Sequence, residues 1–361
     1  MFITSVENFV LFSTVFAVAA FIVAFALRQV LVRGLWLPQA NSVARIYGLA
    51  VVLPPVASLW LVAAAFLPRL WLTPEEFAAA HTGTDHQLHL LGEITIALQP
   101  LLGYAMLAFI GVVAIFAICS NAYGSWRVGR VIRQLDMRAA APPPEQVALV
   151  NAVAGNAGLS VGLVMSDYPL SFVWGFRHSK LILSSGLLRT LNAAELTGVL
   201  EHETAHHARR DNLIKLLLSL CSYSSLAFPL SRLIVGWRAA EVEMICDEVA
   251  AARTSEPLEI AEALVKLRRQ TMAGHVSSEL APTAAILSSF VSNSALIFQR
   301  RVGRLLTLVD APVSELSHGS KPSVAPGTWL FASSLLTLLA ILLLDPLFVH
   351  HAAEAVIQIF K

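Results

Sequence analysis

The chain has 361 residues, 56% of them hydrophobic and 14% charged, with a mean hydropathy of +0.68 and a net charge of +1. Soluble domains carry about 25% charged residues, so neither an ordinary soluble protein nor a disordered chain fits this composition. The balanced charge gives no basis for direct nucleic-acid binding, and Cys119, Cys221 and Cys246 are too few for a disulfide framework.

A membrane-crossing helix needs about 20 apolar residues. Four such runs predict spans at about 8–27, 46–68, 101–120 and 324–344. The loops between them orient the chain. Arg28, Arg33 and Arg45 follow the first run without an acid among them. Glu75, Glu76, Asp85 and Glu93 outnumber Arg69 in the second loop. Arg127, Arg130, Arg133 and Arg138 follow the third run. The positive-inside rule then places the N-terminus outside, 127–321 inside and the C-terminus outside. No Lys or Arg precedes the first run, so it is expected to be a retained anchor and not a cleaved signal.

Most of the charge lies in 127–321. Pro142-Pro143-Pro144 marks a linker. A helix is expected at 145–157 and a strand at 159–165. The apolar runs 170–176 and 180–184 read as a hairpin. Asn192 with Glu195 three residues later resembles a capping box, and the helix it opens continues into the charged cluster at 201–211. Amphipathic helices are expected at 257–271 and 298–309. The fold class is therefore a mainly α membrane protein. Residues 1–126 form an N-terminal membrane domain with three spans. Residues 127–321 form an α+β domain inserted before the last span, and 322–361 hold that span and a short outer tail.

His202-Glu203-Thr204-Ala205-His206 places two imidazoles at i and i+4, on one face of the predicted helix. Two such imidazoles can bind one zinc ion, with Glu203 as general base toward the attacking water. Zinc then needs a third protein ligand. The acidic stretch downstream offers Glu241, Glu243 and Asp247. Glu243 and Asp247 share a face, on which Glu243 could complete the zinc shell and Asp247 could orient a ligating histidine. Glu241 competes from another face, and a merely solvated acidic face is the bland alternative. Glu201 and His207 flank the motif and are expected to point elsewhere. Arg238 and His275 are candidate donors to a tetrahedral intermediate.

His206 and Glu243 must meet at one ion. A single crossing of a ~30 Å core between them would separate them, so 213–237 is expected to form a helical hairpin that returns to its starting side. Its break is expected near Ala227-Phe228-Pro229.

LNAAELTGVLEHETAHHARRDNL (191–213) and RAAEVEMICDEVAA (238–251) resemble the BlaR/MecR-type membrane metallopeptidases, zinc enzymes of the gluzincin kind. The upstream YPLSFVWGFRHSKLILSSGLL (168–188) is similar to that family's hairpin before the active-site helix. The resemblance implies one zinc ion per chain on His202, His206 and Glu243, with Glu203 catalytic. It implies an edge strand at Ser171, Phe172, Val173, Trp174 and Gly175 that receives an extended substrate by β-augmentation. It also implies a bacterial inner-membrane protein with a cytoplasmic catalytic domain, in contact with lipid. The substrate would be a protein or peptide cleaved in signal transduction: a transcriptional repressor, or the chain itself. A homo-oligomer is compatible with this. The sequence ends soon after the fourth run, so no penicillin-binding sensor is expected beyond it. Membrane-protein quality control of the HtpX type is an alternative role, and a non-proteolytic zinc-containing receptor or scaffold is a third.

Overall fold

The computed structural model describes residues 2–33, 40–66, scattered positions between 104 and 126, 142–175, 179–273 and 295–309. The predicted span at 324–344, the loop at 69–93 and His275 lie outside the described residues.

Helices α1 (Phe2–Val32) and α2 (Ala40–Phe66) pack against each other. Their stretches Phe9–Val32 and Ala40–Trp60 are long and apolar enough to cross a membrane, with mean hydropathies of 2.6 and 1.5. Ile22, Val23, Val56 and Leu59 lie mostly exposed on their outer surfaces, as lipid-facing residues would. The described positions between 104 and 126 are also helical. Helix α2 begins ahead of the predicted start at 46 and takes in Arg45. A search for uncharged runs excludes that arginine, but a long cationic side chain near a helix end can extend its head group toward water. Pro54-Pro55 lie inside α2, where the Ser58 hydroxyl donates to the Pro54 carbonyl at 2.7 Å.

The remaining elements in chain order are α3 (Pro144–Asn156), β1 (Ser160–Val164), β2 (Ser171–Trp174), β3 (Lys180–Ser184), α4 (Ser185–Thr190) and α5 (Ala193–Ala208). They continue with α6 (Asp211–Ser222), α7 (Phe228–Thr254), α8 (Pro257–Ala273) and α9 (Ala295–Val309). The expected strand, hairpin and amphipathic helices are all present, with small shifts at their ends. The sheet has the order β1-β3-β2, with β1 parallel and β2 antiparallel to β3. Strand β2 is thus an edge.

Helix α5 is set at its start by the expected capping box. Asn192 Oδ1 accepts from the Glu195 amide at 2.8 Å, and Glu195 Oε2 accepts from the Asn192 amide at 2.8 Å. One side of α5 is core. Leu196, Val199 and Leu200 pack with Leu181 and Leu183 of β3, Ile260, Leu264 and Leu267 of α8 and Leu305 of α9, each at most 1% exposed. Burial of each such side chain stabilises the fold by about 1.5–3 kcal/mol. Gly198 allows the closest approach: a Cβ there would lie 2.6 Å from Ile260 Cγ1. Helix α5 is therefore clamped between the sheet and α8, and its opposite face is left for the histidines.

The segment 213–237 returns on itself as expected. Helix α6 runs out, residues 223–227 turn, and α7 runs back. Pro229 falls in the first turn of α7, where a missing amide proton breaks no hydrogen bond. The turn lies against α1: Ser13 Oγ and Ser224 Oγ are 3.2 Å apart, and the Leu226 amide donates to Thr14 Oγ1 at 3.1 Å. Farther along α7, Trp237 packs on Phe21, Phe25 and Tyr47, with the Arg28 guanidinium 4.8 Å from its ring centre. The hairpin therefore runs beside α1 from near Arg28 to Ser13. Leu217, Leu220, Leu226 and Leu233 remain exposed on it. The acidic stretch is the second half of α7, which continues unbroken to Thr254.

Candidate metal centre

The two histidines of α5 and one carboxylate of α7 converge. His202 Nε2 and His206 Nε2 are 3.2 Å apart. Glu243 Oε2 lies 3.6 Å from His202 Nε2, and Glu243 Oε1 lies 3.6 Å from His206 Nε2. Ligands held about 2.0–2.1 Å from one tetrahedral zinc ion sit roughly 3.3–3.4 Å from each other. The donor set and its spacing therefore fit a single zinc ion. Helical periodicity brings His202 and His206 together, and the α6–α7 hairpin brings Glu243 to them.

The supports around these groups are as specific as the groups themselves. His202 Nδ1 lies 2.9 Å from Asp247 Oδ1, one helical turn beyond Glu243. This is the position expected for Asp247. His206 Nδ1 lies 3.0 Å from Asp211 Oδ2, at the start of α6. Asp211 carried no expected role. Arg210 adopts the left-handed conformation, with φ of 54°, and this turns the chain sharply enough to bring Asp211 back onto His206. Both imidazoles thus present Nε2 to the centre and Nδ1 to a carboxylate, an arrangement that fixes tautomer and ring orientation.

Arg301 of α9 was also not singled out in the sequence. Its side chain is fully buried. It donates from Nε and Nη2 to the two oxygens of Asp247, each at 2.7 Å, and its Nη1 lies 3.2 Å from Glu243 Oε2. The local sequence shows only a basic helical face with Arg300, Arg301 and Arg304, and nothing in that pattern marks one of them as buried. Glu241 is held apart from the centre by Arg300 Nη1 at 3.1 Å, so the geometry favours Glu243. Glu201 pairs with Arg253 at 2.8 Å and faces away, as expected.

The electrostatics follow from this packing. Burial works against ionisation of Asp247, yet the Arg301 guanidinium and His202 hold its carboxyl down at about 2. Burial likewise opposes a charged His202, but its bonds to Asp247 and Glu243 prevail and raise it to about 9 without a metal. Glu243 and Asp211 are lowered against burial, Glu243 first by its bond to His202 and Asp211 first by its bond to His206. Glu241 is raised by burial. The cluster is built to hold anionic carboxylates around a cation.

Glu203 is buried between the histidines, and its Oε1 accepts a hydrogen bond from Ser171 Oγ at 2.8 Å. The Ser171 hydroxyl thus bonds the candidate base and positions Glu203, a contact that the substrate-strand expectation for Ser171 did not include. Phe172, Val173 and Trp174 do line a cavity of about 190 Å³ together with Glu203, His206 and Glu243. Gly175 lines a neighbouring cavity of about 520 Å³ with Val173, Ser179, His206 and His207. Val173 and Gly175 face the open edge of β2, because the Ser184 amide bonds to Leu170 and the pairing with β3 alternates from there. Their carbonyls accept from Asn212 Nδ2 at 2.9 and 3.2 Å. The edge expected to receive a substrate strand is thus held in part by α6.

Residues 145–289 match the model of Peptidase family M48. The matched segment holds β1 to β3, the HExxH helix, Glu243 and Asp247, while Arg301 lies beyond it. Several proteases named HtpX homolog are similar to parts of this chain. That of Thermococcus kodakarensis is 36% identical over 95 residues, 25% of this chain and 31% of its own length. That of Acidiphilium cryptum is 35% identical over 108 residues, 27% of this chain and 37% of its own. That of Gemmatimonas aurantiaca is 27% identical over 180 residues, 40% of this chain and 64% of its own. The chain thus spans between 31% and 64% of the length of these relatives. No solved structure matches the chain. These comparisons support the expected membrane metallopeptidase kinship at the level of M48 peptidases and HtpX homologues, and none of them names the BlaR/MecR subtype.

Proposed function

We propose that the chain is an integral-membrane zinc endopeptidase that cleaves protein substrates at the cytoplasmic face of a bacterial inner membrane. The observation that carries this reading is the convergence of His202, His206 and Glu243 to zinc spacing beside Glu203. The match to Peptidase family M48 and the apolar helices α1 and α2 support it.

His202, His206 and Glu243 would hold the ion, and zinc when bound supplies Lewis acidity toward a peptide carbonyl. Glu203 takes the proton from the attacking water and passes it to the leaving amine. Ser171 keeps Glu203 Oε1 in place for both transfers. Asp247 and Asp211 keep both imidazoles turned toward the centre. Strand β2 borders the cavity beside the site at Phe172, Val173 and Trp174.

The similarity to proteases named HtpX homolog favours a broad role in membrane-protein quality control over cleavage of one repressor. The test is digestion of an unfolded protein such as casein by the purified full chain in detergent. Zinc-dependent cleavage that disappears in Glu203→Gln supports the peptidase. Equal cleavage by that variant, or none by the zinc-loaded parent, overturns it in favour of a receptor or scaffold. Cleavage of many sequences would point to quality control, and cleavage at one site in one partner to signalling.

A further inference from the structure

The cavity beside the candidate metal centre has an uneven charge economy. Three acids line it, Glu203, Asp211 and Glu243, and each has a cationic or hydroxyl partner. Ser171 holds Glu203, His206 and Arg209 hold Asp211, and Arg301 with the two histidines holds Glu243. Two further cations line the same cavity, Lys215 of α6 and Arg238 of α7. Among the described residues neither has an ion pair or a hydrogen bond from its side chain.

Their placement follows from the hairpin. Lys215 stands one helical turn beyond Asp211, and Arg238 stands on the cavity side of α7 with Val235, Ala239 and Val242. The two cations therefore face one opening from adjacent helices, next to the groups that would act on a peptide. Arg238 is only partly exposed, and its burial lowers its affinity for a proton despite the nearby Asp211. A half-buried guanidinium that bonds no acid directly loses hydration and gains no compensating bond among the described residues. An incoming carboxylate would restore that bond, in bidentate form if it meets the guanidinium edge.

We propose that Lys215 and Arg238 form a specificity subsite for an acidic side chain, so that the site prefers peptides with Asp or Glu close to the scissile bond. This rests on the peptidase reading and narrows its substrate class. It also separates Arg238 from the role of oxyanion donor. Such a donor would act on all peptides alike and mainly through kcat, whereas a carboxylate subsite acts through KM and only on acidic peptides.

The test uses the full zinc-loaded chain in detergent with the Glu203→Gln substitution, so that binding is read without turnover. Fluorescein-labelled decapeptides of Ala, Leu and Ser carry one Glu, moved through successive positions, and a matched set carries Gln. Anisotropy is expected to show about tenfold tighter binding for Glu at one or two adjacent positions. Adding Arg238→Gln or Lys215→Gln should reduce that preference, both together should abolish it, and Arg238→Lys should retain part of it. Equal binding of the Glu and Gln sets overturns the subsite, as does a preference that survives the double variant. Casein cleavage by the parent, scored separately, decides the peptidase reading. Cleavage sites without acidic neighbours would remove the subsite and leave the peptidase standing.

Discussion

Arg301 and Asp247 form a fully buried bidentate pair, with both N–O distances at 2.7 Å, and the other oxygen contacts of that pair reach the candidate metal ligands. Asp247 touches His202, and Arg301 touches Glu243. A helix near the end of the described chain thereby locks two ligands supplied by two other helices. A buried pair of this kind adds little stability over an apolar replacement, but removing one partner leaves an uncompensated charge.

Arg301→Ala should therefore destabilise the protein by about 3–5 kcal/mol. It should also weaken zinc binding, because Asp247 and Glu243 would lose the donor that orients them. Chemical unfolding in detergent and competition with a zinc-binding dye measure the two effects. A parent-like unfolding midpoint would show that α9 does not hold the site.

Asp211 anchors His206 in the way Asp247 anchors His202. Asp211→Asn should lower zinc affinity by about 10–100-fold, the usual effect of losing a carboxylate behind a ligating histidine. The dye competition that serves for Arg301 gives the number. Unchanged affinity would mean that Asp211 serves α6 and not the metal.

Glu241 and Glu243 are two residues apart and give opposite predictions. Elemental analysis of the purified parent should find about one zinc per chain. Glu243→Ala should lower that clearly. Glu241→Ala should leave it in place and instead release Arg300. Equal loss in both variants would return the choice of third ligand to the starting point.

Glu203→Gln should keep zinc and lose turnover by at least about 10²–10⁴-fold, the range of general acid–base catalysis. Ser171→Ala should lower kcat by less and leave KM near the parent value, because the hydroxyl touches the base and not the peptide. A rise in KM alone would restore Ser171 to the substrate-contacting role that the resemblance implied.

Asn192→Ala tests the start of α5 apart from its chemistry. Loss of the cap should cost about 1 kcal/mol, read as a lower unfolding midpoint, with zinc content unchanged.

Local features were legible in the amino-acid sequence. The capping box at Asn192, the strands at 160–164, 171–174 and 180–184, and the helices on either side are short-range patterns, and the fold uses them almost where they were expected. His202, Glu203 and His206 were legible for the same reason: the spacing of four residues on a helix puts both imidazoles on one face whatever surrounds them. Glu243 and Asp247 were candidates by their shared helical face and by the family resemblance, and the helical hairpin needed to bring Glu243 to the histidines is present.

What the sequence determined by itself, then, was the apolar character of the helices, the HExxH face and the need for a return before Glu243. Tertiary structure decided which of two nearby glutamates meets the histidines, which of three neighbouring arginines is buried, and that Ser171 turns to Glu203. It also decided that Asp211 folds back onto His206 and that Lys215 and Arg238 share an opening. These are contacts between side chains far apart in the chain or joined by an unusual backbone turn. Their energies depend on distance and burial, which helical or strand periodicity does not encode.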